Sequence, residues 1–139
     1  MGTTIRPEIS KKNRYWISKE RYYELKHFCL QYNGWRKAYS ELVDYGIPIS
    51  NINNEVRGTT IADPTAQITF MKLHYMDRIE MVEKAAIETD RYLYKYILLA
   101  VTEGRSFAYL KTKLDIPCSR DTYYERYRRF FWILSRKRD

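Results

Sequence analysis

Apolar residues recur at steps of three and four along most of this 139-residue chain, which is the spacing of one face of an α-helix. In the stretch FAYLKTKL, for example, Phe107, Leu110 and Leu114 fall on a single helical face. No segment shows the strict apolar–polar alternation that is typical of a strand, and no internal repeat occurs. The sequence therefore predicts an all-α protein in the form of a helical bundle.

The chain divides into two parts by its local composition. Residues 1–62 predict an arm over 1–17, two helices, and a loop over 46–62 that is rich in asparagine and has no helical period. Residues 63–139 predict a long central helix followed by a C-terminal helix-turn-helix domain. The N-terminal part is expected to contact a partner or to mediate dimerisation.

Capping signals locate the two N-terminal helices. Ser18 is a good N-cap residue, and the segment after it, RYYELKHFCLQY, repeats apolar residues at helical spacing. The Asn33-Gly34 pair is expected to end this helix, because glycine readily adopts the left-handed conformation that closes helices. A second helix is expected from Trp35.

Asp63 and Pro64 predict the start of the long helix, since a carboxylate at the N-cap precedes proline at the first helical position. Two rows then recur at intervals of seven. They are Ile68, Tyr75, Val82 and Thr89 in one row, and Lys72, Ile79, Ala86 and Leu93 in the other. Such rows pack within the chain or pair with a second copy of it, and the sequence leaves both alternatives open.

The C-terminal third predicts three further helices. YKYILLAVTEG is apolar nearly all round and ends at Gly104, so it is expected to be buried on several sides. Its residues at the centre of the C-terminal region are expected to be Ile97, Leu98 and Val101. Ser106 and Ser119 are N-cap candidates for two helices joined by the turn DIPCS, as a helix-turn-helix requires.

These last helices carry a family resemblance. EGRSFAYLKTKL followed by IPCSRDTYYERYRR resembles the helix-turn-helix of phage late-gene activators of the ArpU and RinA type, which are similar to sigma factor region four. The matching positions are Glu103, Gly104, Ser106, Phe107, Leu110, Leu114, Ser119, Arg120, Thr122 and Tyr123. The blocks RYYELKHFCLQY, DPTA and RRFFWILS also resemble short uncharacterised proteins of Firmicute prophages. The chain departs from the activators at Lys111, where they have a small alanine, and at Pro117 and Cys118, which lengthen the turn.

Positive charge gathers in the same region. Residues 104–139 hold ten basic and four acidic side chains, and the whole chain has a net charge of +8. The last helix is expected to turn one row inward, consisting of Tyr124, Tyr127, Phe131 and Leu134, with Tyr123 and Phe130 widening this face. The residues predicted to face duplex DNA are then Lys111, Lys113, Ser119, Arg120, Thr122, Tyr123, Arg126, Arg128 and Arg129.

These residues have different expected roles. Arg120, Tyr123 and Arg126 are expected near base edges, because arginine can bond both acceptors of a guanine. Ser119 and Thr122 are expected to donate to phosphate or base at the helix N-terminus. The remaining lysines and arginines are expected to contact the phosphate backbone. An ordinary solvated basic face beside an aromatic core would show the same pattern, and that alternative stays open.

The sequence thus predicts a phage or prophage DNA-binding protein that regulates transcription, with RNA polymerase, another protein or a second copy of the chain as further partners. Two alternatives stay open. The 14 tyrosines favour a protein–protein adaptor or inhibitor module, because tyrosine is a good interface anchor. A DNA-packaging recognition subunit would also use a small helix-turn-helix domain.

Other functional classes find little support. The two cysteines and two histidines lack the close spacing of a metal site, so no metal or cofactor is expected. No glycine-rich phosphate loop or nucleophile motif occurs, so no enzymatic activity is expected. No apolar run reaches 18 residues and the N-terminus has no apolar signal region, so a cytoplasmic protein without membrane contact is expected.

Overall fold

The structure is a computed structural model that describes residues 11–44 and 64–139. The described residues form helices and contain no strand, which confirms the all-α prediction. The helices are α1 (Lys19–Cys29), α2 (Tyr32–Asp44), α3 (Pro64–Thr89), α4 (Tyr94–Glu103), α5 (Phe107–Leu114) and α6 (Arg120–Lys137). The predicted loop over 46–62 and the Asp63 cap lie outside the described residues.

The described residues fall into two compact units. The first unit joins residues up to Tyr32 with Met81–Asp139, and the second consists of the described part of Asn33–Glu80. Helix α1 therefore belongs with the C-terminal helices, against α4 and α6, and not with α2. The division expected from composition, between residues 62 and 63, does not follow these units.

Helix α1 forms as its sequence predicts. The Ser18 hydroxyl caps it by accepting a hydrogen bond of 3.1 Å from the Arg21 amide. Its buried face consists of Tyr22, Leu25, Phe28 and Cys29. Burying each large apolar side chain stabilises the fold by about 1.5–3 kcal/mol, so this face holds α1 on its neighbours.

Arg21 fastens α1 to the end of α6. Its Nε donates to the Ser135 hydroxyl at 3.0 Å, and one Nη donates to the Ser135 carbonyl at 3.0 Å and to the Arg138 carbonyl. The last carbonyls of a helix have no partner within the helix, so these bonds satisfy groups that would otherwise need water.

The boundary between α1 and α2 differs from the prediction. Helix α1 ends at Cys29, and its C-cap Leu30 keeps a right-handed conformation with φ −68°. The chain then turns through a bond of 3.2 Å from the Gln31 amide to the Phe28 carbonyl, which needs no left-handed residue. Gly34 lies inside α2. The prediction that Asn33-Gly34 ends the first helix is therefore wrong.

The described part of helix α3 begins at Pro64. Near its C-terminal end, which belongs to the first unit, Val82, Ala85 and Ala86 are fully buried. Towards its N-terminal end the predicted rows are less enclosed, since Ile68 and Tyr75 are partly exposed. The seven-residue rows therefore mark a core face only over the last turns of the helix.

Asp90 makes the joint between α3 and α4. One carboxylate oxygen accepts from the amides of Tyr92 at 2.8 Å and Leu93 at 2.9 Å, and the other accepts from Arg126 Nε at 2.8 Å. Burial by itself raises the pKa of Asp90, but the bonds from Arg126, Leu93 and Tyr92 outweigh it and hold the pKa below its ordinary 3.8. This carboxylate therefore links the α3–α4 joint to α6.

Helix α4 lies at the centre of the first unit. Ile97 and Val101 are buried as predicted, whereas Leu98 is partly exposed. The helix ends at Gly104 with φ 68°, the left-handed conformation expected of a closing glycine. None of the described helices is both long enough and apolar enough to cross a bilayer.

We predict that Asp90→Asn lowers the free energy of unfolding by about 1–3 kcal/mol at pH 7, because it weakens the bonds to the Tyr92 and Leu93 amides and the charge-assisted bond to Arg126. Because the folded pKa is depressed, the carboxylate stabilises the fold fully above 3.8 and loses this effect as pH falls below it. The difference between wild type and Asp90→Asn should therefore shrink below that pH. Urea unfolding at a series of pH values measures it.

Asp77→Asn is the matched control, because this carboxylate is exposed and makes no hydrogen bond or ion pair with another described residue. It should change the free energy of unfolding by less than about 0.5 kcal/mol at either pH. Equal losses in both variants would show that Asp90 has no special structural role.

Candidate nucleic-acid interface

The α5–α6 segment is capped at both helix starts, as predicted. The Ser106 hydroxyl accepts from the Tyr109 amide at 3.1 Å, and the Ser119 hydroxyl accepts from the Thr122 amide at 3.1 Å. Between the helices, Asp115 adopts a left-handed conformation with φ 52° and Ile116 is fully buried. The turn is therefore pinned to the core by one side chain while the residues around it remain accessible.

Five of the predicted interface residues surround this turn. Lys111, Lys113, Ser119 and Arg120 are exposed, and Thr122 is partly exposed. Lys111 points outward, with its Nζ donating to the Ile116 carbonyl at 3.3 Å, so the missing alanine is accommodated by turning the longer side chain away from the core. The Arg120 guanidinium lies 5.4 Å from the centre of the Tyr124 ring, which orients it without pairing its charge.

Tyr123 was predicted to face DNA, and this prediction is wrong. Its side chain is 1% exposed, with its ring 5.2 Å from that of Phe107 and 5.9 Å from that of Tyr127. Burial raises the pKa of the Tyr123 hydroxyl. Phe131 and Leu134 are buried as expected, and Phe130 and Ile133 are buried with them. The difference lies at the start of α6, where Tyr123 is buried and Tyr124 is partly exposed.

Arg126 is not free at the helix surface either. Besides its 2.8 Å bond to Asp90, it pairs with the neighbouring carboxylate of Glu125. The hydrogen bond with Asp90 raises the pKa of Arg126. Because a DNA base would have to displace a partly buried ion pair, the expected role of Arg126 in base recognition is corrected to a structural one.

Arg128 and Arg129 are partly buried, and their Nε atoms are enclosed without a hydrogen-bond partner. Arg129 donates from one Nη to the Tyr15 hydroxyl at 3.0 Å and from the other to the Glu88 carbonyl at 3.4 Å. Arg129 therefore lies on a different part of α6 from the turn, beside the segment that precedes α1.

The charge on the solvent-facing side of α6 changes from negative to positive along the helix. Asp121 is exposed in the first turn, and Glu125, four residues later on the same face, is partly exposed. The basic residues on this face come later, with Arg129 and Arg136 in the C-terminal half. The first half of α6, which normally reaches base edges in a helix-turn-helix, therefore offers Arg120 as its accessible cation.

Tyrosine hydroxyls inside the unit pair with each other. The hydroxyls of Tyr22 and Tyr127 are 3.0 Å apart, which joins α1 to α6. Burial raises the pKa of both groups, so neither ionises near neutral pH. Their role is to satisfy each other within an aromatic core, and they are not candidates for acid–base chemistry.

Asp90 and Tyr15 hold Arg126 and Arg129 in place, and neither residue was among those predicted for the site. Asp90 had a detectable signal, because an aspartate just before a new apolar helix is a capping candidate. Tyr15 had none, since it lies in a segment without helical period. Within residues 11–44 and 64–139 no group of three His, Cys, Asp or Glu residues is arranged to hold a metal ion.

Comparison of the chain with protein-family models, curated proteins and solved structures finds no match.

The burial of Tyr123 in place of Tyr124 leads to a stability prediction. Tyr123→Ala should lower the free energy of unfolding by about 3–5 kcal/mol, because it removes a buried aromatic ring and leaves a cavity. Tyr124→Ala, one residue later and partly exposed, should cost clearly less, about 1 kcal/mol. Urea unfolding of the two variants measures the difference. An equal loss of stability in both variants, or a larger loss in Tyr124→Ala, would indicate that Tyr124 faces the core, as expected from the sequence.

Proposed function

We propose that the protein binds duplex DNA through the α5–α6 turn and regulates transcription of phage or prophage genes. The observation that carries the proposal is the exposure of Lys113, at the end of α5, and Arg120, at the start of α6. The apolar face of α6 is buried. Cations around the start of an exposed helix are suited to phosphate, because the free amides and the helix dipole add to their attraction.

The residues around the turn take distinct roles in this proposal. Lys111 and Lys113 contact phosphates and supply affinity that does not depend on base sequence. Arg120 is the candidate for a base edge, at the first position of α6. The Ser119 hydroxyl donates to the Thr122 hydroxyl at 3.1 Å, which leaves the Thr122 proton to donate to a phosphate.

The regulatory part of the proposal rests on the resemblance to phage late-gene activators. The positions that match their pattern include the two capping serines and Phe107, whose ring packs on Tyr123. The burial of Tyr123 and the pairing of Arg126 narrow the proposed base contacts to the beginning of α6. A small set of base contacts favours modest sequence discrimination over tight site selection.

A protein partner is the second candidate function, and the second unit supports it. Large apolar side chains are exposed there on α2 and on the N-terminal half of α3. They are Val43 at 48%, Phe70 at 72%, Met71 at 42% and Leu73 at 57% exposure. Large apolar side chains left exposed in this number on neighbouring positions of α3 are more typical of interfaces between proteins than of a solvated surface.

We predict that the double variant Lys113→Gln/Arg120→Gln weakens binding to duplex DNA. The slope of log affinity against log salt should fall by about 0.9 for each phosphate that the protein no longer neutralises. The matched control is Arg91→Gln/Lys95→Gln, which removes two exposed cations from elsewhere in the first unit. Fluorescence anisotropy with labelled prophage promoter fragments measures both variants. Equal losses of affinity in the two variants would show that binding depends only on the net charge of the protein, and would contradict the proposal.

A further inference from the structure

A second basic surface lies at the other end of α6. It combines the segment before α1 with the C-terminal half of α6, and we call it the basic–aromatic surface. Its members are Lys11, Arg14, Trp16, Arg129, Trp132 and Arg136. All of them belong to the first unit, and the indoles of Trp16 and Trp132 are partly exposed.

Tyr15 fixes the two parts of this surface to each other. Its side chain is 6% exposed, and its ring meets that of Trp132 edge-on at 5.5 Å between ring centres. Its hydroxyl accepts a 3.0 Å bond from Arg129, and its backbone amide donates to the Asn13 side-chain carbonyl at 2.8 Å. The segment before α1 therefore packs on α6, and the surface is organised before any ligand arrives.

The cations of the surface lie on aromatic rings. The Arg136 guanidinium is 4.8 Å from the centre of the Trp132 ring, and the Arg14 guanidinium is 5.1 Å from that of Tyr15. Lys11 lies 5.8 Å from the centre of the Trp16 ring. Arg14 and Arg136 make no ion pair with another described residue, so their N–H groups are available to an anion.

A cleft of about 360 Å³ opens beside Trp132. It is lined by Glu88, Arg129, Trp132, Ile133, Arg136 and Lys137. Its one acidic residue, Glu88, is already paired with Lys137 at 2.7 Å. The cleft therefore presents net positive charge beside a planar indole and a guanidinium stacked on it.

We propose that the basic–aromatic surface binds single-stranded nucleic acid. A base enters the cleft and stacks on the Trp132–Arg136 pair, because unpaired bases stack on aromatic rings and guanidinium planes. Arg14 and Arg136 bind the flanking phosphates. A duplex keeps its bases stacked on one another, and an acidic peptide would use the cations but leave the indoles without a role. This inference does not depend on the α5–α6 turn.

The test is fluorescence anisotropy with a labelled 15-nucleotide oligothymidine strand and with the corresponding oligothymidine–oligoadenine duplex. Wild type should bind the single strand, and Arg14→Gln/Arg136→Gln should bind it about tenfold more weakly at low salt. The control Arg91→Gln/Lys95→Gln should stay within about twofold of wild type. Both variants alter exposed side chains, and unchanged thermal unfolding would show that their folds are intact.

Tryptophan fluorescence tests the stacking itself. The single strand should quench emission on binding, and Trp132→Phe should remove most of that quenching while retaining an aromatic ring. Trp35 is 7% exposed and belongs to the second unit, so it should not respond. Quenching that survives in Trp132→Phe would place the base elsewhere and overturn the inference.

Two further measurements separate this inference from the duplex proposal and from simple polyanion binding. Lys113→Gln/Arg120→Gln should leave binding of the single strand unchanged, so each surface can fail without the other. Polyglutamate should compete only weakly, because it cannot stack. Competition by polyglutamate as strong as that by unlabelled oligothymidine would make the surface a general anion site and overturn the inference.

Discussion

The first unit depends on one carboxylate that accepts hydrogen bonds from two separate parts of the chain. Asp90 ends α3, caps the turn into α4 and holds Arg126 of α6. Because Arg126 is 36 residues from Asp90 in sequence, these donors converge only when α3, α4 and α6 are packed together. The same bond withdraws an arginine from the helix surface, so the contact that stabilises the unit also limits where a polyanion can bind.

Local signals in the sequence predicted the starts of the helices well, because capping involves residues three apart. Ser18, Ser106 and Ser119 accept the amides that their spacing indicates. The error at Asn33-Gly34 has a different cause. A glycine near a helix end predicts a left-handed cap only if the chain turns there, and the bond from Gln31 to Phe28 turns it earlier.

The candidate site was harder to predict, because the side of a helix that faces inward depends on its partners. Tyr123 and Tyr124 are adjacent aromatic residues, and periodicity alone allows either of them to face the core. The ring of Phe107 on α5 decides the matter by packing on Tyr123. Likewise, nothing within α6 indicates that Arg126 meets an upstream aspartate or that Arg129 meets Tyr15. Charge pattern could predict that the region is basic, but not which cations are accessible.

The pairing of α1 with α6 bears on how the chain folds as it leaves the ribosome. Helix α1 is made early, yet Arg21 finds its acceptors in the final turn of α6 and beyond, more than a hundred residues later. The apolar face of α1 therefore has to wait in the nascent chain until α6 has been made. Contacts so distant in sequence close late and slow folding. Disrupting the last turn of α6 would remove those acceptors and so affect α1, a helix more than a hundred residues away in sequence.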